Sequence, residues 1–450
     1  PLLSSLYKTL VLDFSWIKAR TIMGYSDRFK DKALMKVFLG QSFIDVRKSF
    51  ISFIPKNVPK YLEKKLVNFY VLTLSMNPSL HDKIEFDIAI NCFIFDFEKR
   101  IKELCPNLLT KKETLILKKE YHQMINKNLA DKDSGSIAFN LEKIKKLDEN
   151  YEDFKKEKDI KKIIRSTINH GIIPFSILAR HAFIAENLLR SLVRLKIIDN
   201  NEVDNFKFSL ETITSKFIFD CNLLSKDLIS FSQFKEIYGH LRPGTYDINS
   251  KNYSLFEKDF FVKKNISLKK KKDFFLNKSK ISKIEDLLKK NNLNLDSTQF
   301  FIYLKKGFEA REYSKFVFTK NVDLILKRIT QFAKSKNLSK KQISFLTLKD
   351  LTNSKFIKLP KDKLLDKIKK KEFEYQTNLN IKLPLILIDS KGVDVIPFQV
   401  SSPNFIGNKK IMSKIVHINN NINLKKIDFN KKIVLIENAD PGFDWLFNFN

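Results

Sequence analysis

Apolar positions Leu6, Leu10, Phe14 and Ile17 recur at three- and four-residue spacing and predict a helix over 1–24. Around Gly40 the period changes. "VFLGQSFIDVRKSF" reads as two short strands about a Gly-centred turn, with Phe43, Asp45 and Arg47 on one face and Ile44, Val46 and Lys48 on the other. A helix from Pro59 to Met76 follows, opened by a proline and stopped by Asn77-Pro78. "KIEFDIAINCF" alternates, with Ile84, Phe86, Ile88, Ile90 and Cys92 on one face, and predicts a strand that pairs with Phe43–Phe50. From Lys111 to Lys235 the period is helical, with a surface loop at Asp131–Gly135 and a break between helices at "INHGIIPF" (Ile168–Phe175). Ile177–Leu195 carries Leu178, Phe183, Leu188, Leu189 and Leu192 near one side, an amphipathic helix. Residues 250–285 form a basic, Phe-containing connector with little periodicity, expected to be mobile, and Phe308–Lys336 is another long helix.

Near Leu383 the character changes. "LPLILIDSKGVDVIPFQV" predicts two apolar strands around Ser390-Lys391-Gly392. "KIVLIENADPGFDWLF" predicts a strand at Ile433–Ile436, a loop through Asp440-Pro441-Gly442 and the start of a helix. The expected fold class is α+β: a small β element near the N-terminus, a mainly helical centre, and the opening of an α/β domain. The expected units are 1–100, 101–382 and 383–450. A chain that starts without Met and stops as a helix begins is expected to be a piece of a longer one.

Composition supports long helices, since 450 residues contain only 10 Gly and 12 Pro, while 41 Phe supply ample core. Cys92, Cys105 and Cys221 are scattered, which fits neither a disulfide framework nor a metal cluster and points to a reducing cytoplasm. No apolar run approaches the ~18 residues of a membrane span. The net charge of +32 raises nucleic-acid binding as an alternative function, with a non-catalytic helical scaffold as another. Lys, Asn, Ile and Phe are raised together along the whole chain, however, and no basic stripe is interleaved with aromatics. Composition therefore argues against a nucleic-acid partner.

The candidate chemistry gathers in "IYGHLRPGTYDI" (Ile237–Ile248). A Gly-Thr step after Arg-Pro lets backbone N–H groups approach an anion, and Arg242 can fork onto a carboxylate or phosphate. His240 and Asp247 can orient or take a proton, with Thr245 and Tyr246 between them. The competing reading is a structural corner in which Arg242 caps a helix and Asp247 accepts local backbone bonds. Arg180 and His181, on a helix after the His170-Gly171 break, are candidates for lining the same cleft. Asp45 and Arg47 are read as a structural pair, Glu312 as paired on its helix with Arg311 or Lys315, and His81-Asp82 as capping. There is no Gly-rich phosphate loop, nucleophile elbow or dinucleotide fingerprint.

"IVLIENADPGFDWLF" resembles the opening strand and loop of the swivelling phosphohistidine domain in the phosphoenolpyruvate synthase and pyruvate phosphate dikinase superfamily. The matching residues are Ala439, Asp440, Pro441, Gly442 and Phe443. "YGHLRPGTYDI" and "ARHAFIAENLLRSL" are similar to the helical acceptor-binding domain of the family's three-part members, such as rifampicin phosphotransferases and capsule-pathway glutamine kinases. The former have a G-H-R-G-P-G-E-like turn, and Thr245 in place of its Glu argues against antibiotic phosphorylation. "FLGQSFIDVRKSF" and "NPSLHDKIEFDI" resemble the segments that join the ATP-grasp end to the helical domain.

The resemblance implies a phosphotransferase working in two half-reactions. An ATP-grasp domain before Pro1, holding ATP and Mg2+, would phosphorylate a histidine beyond Asn450. That histidine domain would then swivel to a small-molecule acceptor on the helical domain. The implied acceptor-binding residues are His240, Arg242, Thr245, Tyr246, Asp247, Arg180 and His181. The implied partners are the acceptor and the flanking domains of the same longer chain, with no membrane. No catalytic residue and no cofactor site is expected in these 450 residues, which alone should be inactive. The acceptor class remains an amide, a sugar or an alcohol. Nothing resembles the pyruvate-binding barrel.

Overall fold

In a computed structural model the described residues are 1–29, 33–130, 132–262, 274–381, 383–387, 405, 410–418, 427, 429–436 and 441–448. The fold is α+β and mainly helical, with two two-stranded sheets among the described residues. Helix α1 (Leu2–Tyr7) continues through a π-helical turn, Lys8–Leu12, towards α2 (Ser15–Met23). Gly24 ends α2 at φ 98°, a left-handed cap that suits glycine.

The Gly40 hairpin is present. Strands β1 (Met35–Phe38) and β2 (Gln41–Ile44) pair antiparallel, Met35 opposite Ile44, across a tight turn with Leu39 and Gly40 at φ 48° and 76°. The second strand is short because Asp45 caps the next helix, its carboxylate accepting from the Lys48 N–H at 3.1 Å. Residues Val46–Ile51 are therefore helix α3, and the alternating faces drawn through Lys48 do not exist. Helix α4 (Lys60–Met76) begins after Pro59, as expected.

The strand expected at Ile84–Cys92 is absent. Ile84–Asp87 is a one-turn helix, α5, followed by irregular chain in which Ile88, Ala89, Ile90, Asn91 and Cys92 are all buried. Alternation misled because both sides of this segment are covered. Two of its carbonyls are taken by side chains in place of a strand partner. Asn91 O accepts from Tyr25 Oη at 2.9 Å and from Arg180 Nη2 at 2.7 Å, and Ile90 O accepts from Tyr121 Oη at 3.0 Å.

Helices α6 (Phe97–Leu104), α7 (Lys111–Leu129), α8 (Ile137–Glu149) and α9 (Tyr151–Lys156) follow. The break expected at Ile168–Phe175 is instead a π-helical turn, Thr167–Ile172, that joins α10 (Ile160–Ser166) to α11 (Ile173–Arg194) without interruption. Gly171 is there for close approach: a Cβ would lie 2.9 Å from Phe318 Cβ and 3.0 Å from Leu147 Cδ2. Pro174 is tolerated beside the π turn, where the regular ladder of bonds is already altered. The resulting Ile160–Arg194 rod is long and apolar enough to cross a membrane by length and composition, yet 67% of its most apolar window is buried inside the protein. It is a core helix.

After α12 (Asn200–Phe208), α13 (Ile213–Ser225), α14 (Phe231–Tyr238) and α15 (Lys278–Lys290) comes α16, 39 residues from Ser297 to Ser335. It runs antiparallel to α11, for Gly171 meets Phe318 while Gly307 meets the His181 backbone. One cluster of buried apolar residues runs from Leu2 through α2, α11 and α16 to Ile368 and on to Ile418, Phe429 and Trp445. The described part of the supposed connector is packed: Tyr253 lies 5.9 Å from Phe217, and Phe261 lies 5.0 Å from Phe234. Short helices α17 (Lys340–Ser344), α18 (Leu348–Thr352) and α19 (Ser354–Ile357) lead to α20 (Lys361–Leu379). Strand β4 (Ile433–Ile436) is where it was expected and pairs parallel with β3 (Ile415–Ile418). The hairpin expected about Ser390-Lys391-Gly392 lies outside the described residues. Pro441–Asn448 is a short 3-10 helix.

Candidate functional site

The turn is built from α14 outward. Ser230 caps that helix, accepting from the Gln233 N–H at 3.2 Å, and Tyr238 closes it with its hydroxyl donating to Asp220 Oδ2 at 2.7 Å. The chain then folds back on itself. The Tyr253 N–H donates to Leu241 O at 2.8 Å, and the Ser254 N–H donates to Gly239 O at 3.1 Å. Within the loop the Asp247 N–H donates to Gly244 O at 3.0 Å, while Asp247 Oδ1 accepts from the Asn249 N–H at 2.9 Å.

The turn has an inner and an outer side. Inside, Arg242 is 7% exposed and its Nη2 donates to Asp323 Oδ1 of α16, which also accepts from Asn252 Nδ2 at 2.9 Å. Arg242 Nη1 donates at 3.3 Å to both Asp247 O and Ser250 O. Lys327 Nζ lies 2.9 Å from the other Asp323 oxygen. The guanidinium is committed to its own fold: it ties both ends of the loop to a buried carboxylate. His240, equally buried, donates from Nε2 to Phe316 O at 3.1 Å. Burial, followed by the nearby Lys320 charge, lowers its pKa from 6.5 to about 3, so the ring is neutral at pH 7.

Thr245 is buried, and Tyr246 packs edge-on against Tyr7 at 5.1 Å. Asp247 differs. With Ile248 and Asn249 it lines an open groove of about 310 Å3, together with Pro1, Lys341 and Tyr375.

A second motif meets the turn. Gly442 packs so closely that a Cβ would lie 1.9 Å from the Arg242 carbonyl carbon and 2.1 Å from Pro243 N, so only glycine fits. Tyr253 Oη donates to Gly442 O at 2.8 Å. Trp445, 1% exposed, follows, with its ring 4.9 Å from Phe260 and 5.4 Å from Phe429. Asp444 Oδ2 accepts from Thr214 Oγ1 at 3.1 Å. Burial raises its carboxyl from 3.8 to about 7 against the Thr214 bond, with Glu312 adding repulsion and Lys315 easing it. Asp440 lies outside the described residues; of Pro441 only the backbone is described.

Arg180 and His181 do not share this place. His181 bonds Tyr303 Oη at 3.0 Å and Gly135 O at 2.7 Å, whereas Arg242 meets α16 at Asp323. Twenty residues of helix, ~30 Å of rise, separate those two levels. Burial lowers the His181 pKa from 6.5 to about 4, so it too is a neutral interior residue. Arg180 Nε donates to Tyr25 Oη at 2.9 Å and its Nη2 to Asn91 O.

Asp45 and Arg47 are not paired with each other. Asp45 caps α3 and Arg47 donates to Asn68 Oδ1 at 2.7 Å. Glu312 accepts from its neighbour Arg311 at 2.7 Å, and His81 Nδ1 bonds Pro78 O at 3.1 Å. Among the described residues no three His, Cys, Asp or Glu side chains gather to hold a metal ion. Sequence reasoning passed over Asp323, Asn252, Tyr253 and Trp445. The available signal was Asp323 itself, a lone acid within Val322–Leu326 on a helix otherwise apolar at that point. No protein-family model, curated protein or solved structure matches the chain.

Proposed function

We propose that these residues are the acceptor-side body, and the opening of the swivelling carrier module, of an ATP-dependent phosphotransferase that works through a phosphohistidine. The observation that carries this reading is the backbone contact between Gly442 and Arg242-Pro243. The two stretches with the family resemblance lie 200 positions apart in the chain, and they belong to the two bodies that must meet for the second half-reaction.

The geometry changes the roles within that scheme. Arg242, held by Asp323, keeps the turn in shape, and His240 is an interior strut. The turn's backbone is the bearing on which the carrier's first helical turn seats. The acceptor sits in the groove beyond Asp247, whose carboxylate orients or deprotonates the attacking group. Phosphoryl transfer asks chiefly for in-line positioning and charge stabilisation, which a fixed bearing beside a groove supplies. ATP and Mg2+ act on the ATP-grasp domain of the longer chain, in the cytoplasm.

The test uses the full-length chain with γ-labelled ATP and Mg2+. The label should appear on protein as an acid-labile, alkali-stable phosphohistidine. Asp247→Asn keeps the Asn249 backbone bond and should label normally, yet fail to pass the label to small molecules in a cell extract. Absence of any labelled histidine sinks the proposal. Undiminished transfer by Asp247→Asn removes the groove from it.

A further inference from the structure

Arg20 on α2 and Arg180 on α11 lie side by side over the same two rings. Their Cζ atoms are 5.5 and 5.3 Å from the Tyr25 centroid, and 5.5 and 5.6 Å from that of Phe53. One carboxylate oxygen serves both: Glu85 Oε1 is 3.4 Å from Arg20 Nη2 and 3.3 Å from Arg180 Nη1. These are single, long contacts where short bidentate pairs are the strong form. Two buried cations against one anion leave an excess positive charge.

The other groups at this spot do not cancel it. Burial raises the Tyr25 hydroxyl above 10.0 and the Cys92 thiol to about 12, so both are neutral at pH 7. Two polar atoms here are enclosed without a hydrogen-bond partner, Arg20 Nη1 and Asn91 Oδ1. Burial, then the neighbouring Arg180, lowers even the Arg20 guanidinium to about 10. An unpaired buried N–H and uncancelled charge are costly unless something visits them.

Access is through Glu85. Its side chain and that of Arg20 are each 17% exposed, and α5, which carries Glu85, contains no buried residue. The carboxylate can turn out to solvent without moving a core element. The segment's backbone stays anchored, with Asn91 Nδ2 donating to Glu85 O at 2.6 Å and Arg100 Nη2 donating to Phe86 O at 2.7 Å.

We infer that the Arg20–Arg180 pair is a binding site for the carboxylate or phosphate group of a small molecule, which the Glu85 carboxylate occupies as an internal stand-in. An incoming oxyanion is not tethered to α5, so it is free to turn one oxygen towards Arg20 Nη1 while another takes the point Glu85 now serves, and a phosphate brings oxygens beyond the two of a carboxylate. The site takes Arg180 out of the acceptor set that the resemblance implied and lies on α2, α5 and α11. It uses no residue of the turn or the groove, so it stands or falls apart from the groove proposed above.

Calorimetric titration at low ionic strength tests this, with inorganic phosphate in one arm and acetate in the other. Glu85→Gln removes the competing charge and should tighten saturable, one-site binding by about tenfold or more. Arg20→Met should abolish it. Glu142→Gln removes the partner of Lys146 from an exposed pair and should change nothing, which separates the site from diffuse attraction to a chain of charge +32. The tighter arm tells whether the natural group is a phosphate or a carboxylate. The inference is overturned if Glu85→Gln binds neither anion, or if Glu142→Gln gains as much affinity as Glu85→Gln. That comparison stands even if Arg20→Met does not fold.

Discussion

Replacing Asp444 by Asn should uncouple the seating of the 441–448 segment from pH. The wild-type carboxyl is pushed from 3.8 to about 7 when seated, first by burial and then by Glu312, against the Thr214 bond and Lys315. A carboxylate whose pKa rises on seating takes up a proton as it seats. Seating is therefore strongest at low pH, weakens as pH climbs from 3.8 towards 7, and is level above that. About three units at ~1.36 kcal/mol each set an upper limit of about 4 kcal/mol on the penalty at pH 8. Trp445 is the natural reporter, since it is 1% exposed in the seat and the chain has only one other tryptophan, Trp16. In a Trp16→Phe background, emission should be blue-shifted at pH 5.5 and move to the red by pH 8. Asp444→Asn keeps an oxygen to accept from Thr214 and should stay blue throughout. His240, at about 3, does not titrate in this window. An unchanged pH response in Asp444→Asn would refute the reasoning, because some other group would then govern the seat.

Three further outcomes are expected. His181 and His240 are neutral in the fold, at about 4 and about 3, so unfolding takes up protons below 6.5. Stability by urea titration should hold from pH 8 to 7 and then fall by several kcal/mol as pH drops towards 4. Gly442→Ala should drive the segment off the turn, because its Cβ would lie 1.9 Å from a backbone carbon; Trp445 emission and protease sensitivity near 441 would report it, with the global melting temperature nearly unchanged. Arg242→Ala strands the Asp323 carboxylate with Asn252 and the half-exposed Lys327, and should cost about 3–5 kcal/mol of global stability by urea unfolding. A loss under ~1 kcal/mol would mean that the buried pair does not shape the turn.

Where local turn and cap signals agree with it, periodicity was a sound guide. The Pro59-led helix, the Gly40 hairpin, the long helix through Phe308–Lys336 and the strand at Ile433–Ile436 all follow it. It failed where tertiary contacts replace the local signals. Ile84–Cys92 alternates in sequence, but its first half is a helical turn and the Ile90 and Asn91 carbonyls are taken by Tyr25, Arg180 and Tyr121. Gly171 and Pro174 read as breakers, yet the one admits Phe318 and the other follows a π turn, and the helix runs on. The chemistry of the turn was legible as a list of residue types. Its orientation was not, because nothing local in "GHLRPGTYDI" reveals an acid eighty residues away on α16.

The sequence by itself determined helical content, the hairpin, and the presence of one tight polar turn in a chain poor in Gly and Pro, because caps, turn residues and apolar spacing act over a few positions. Tertiary structure alone decided that Arg242 faces Asp323, that Asp247 faces the groove, that Gly442 rests on the turn and that Arg20 and Arg180 share one carboxylate. Those pairings join residues far apart in the chain. Their energies depend on burial and distance, which arise only once the helices have packed.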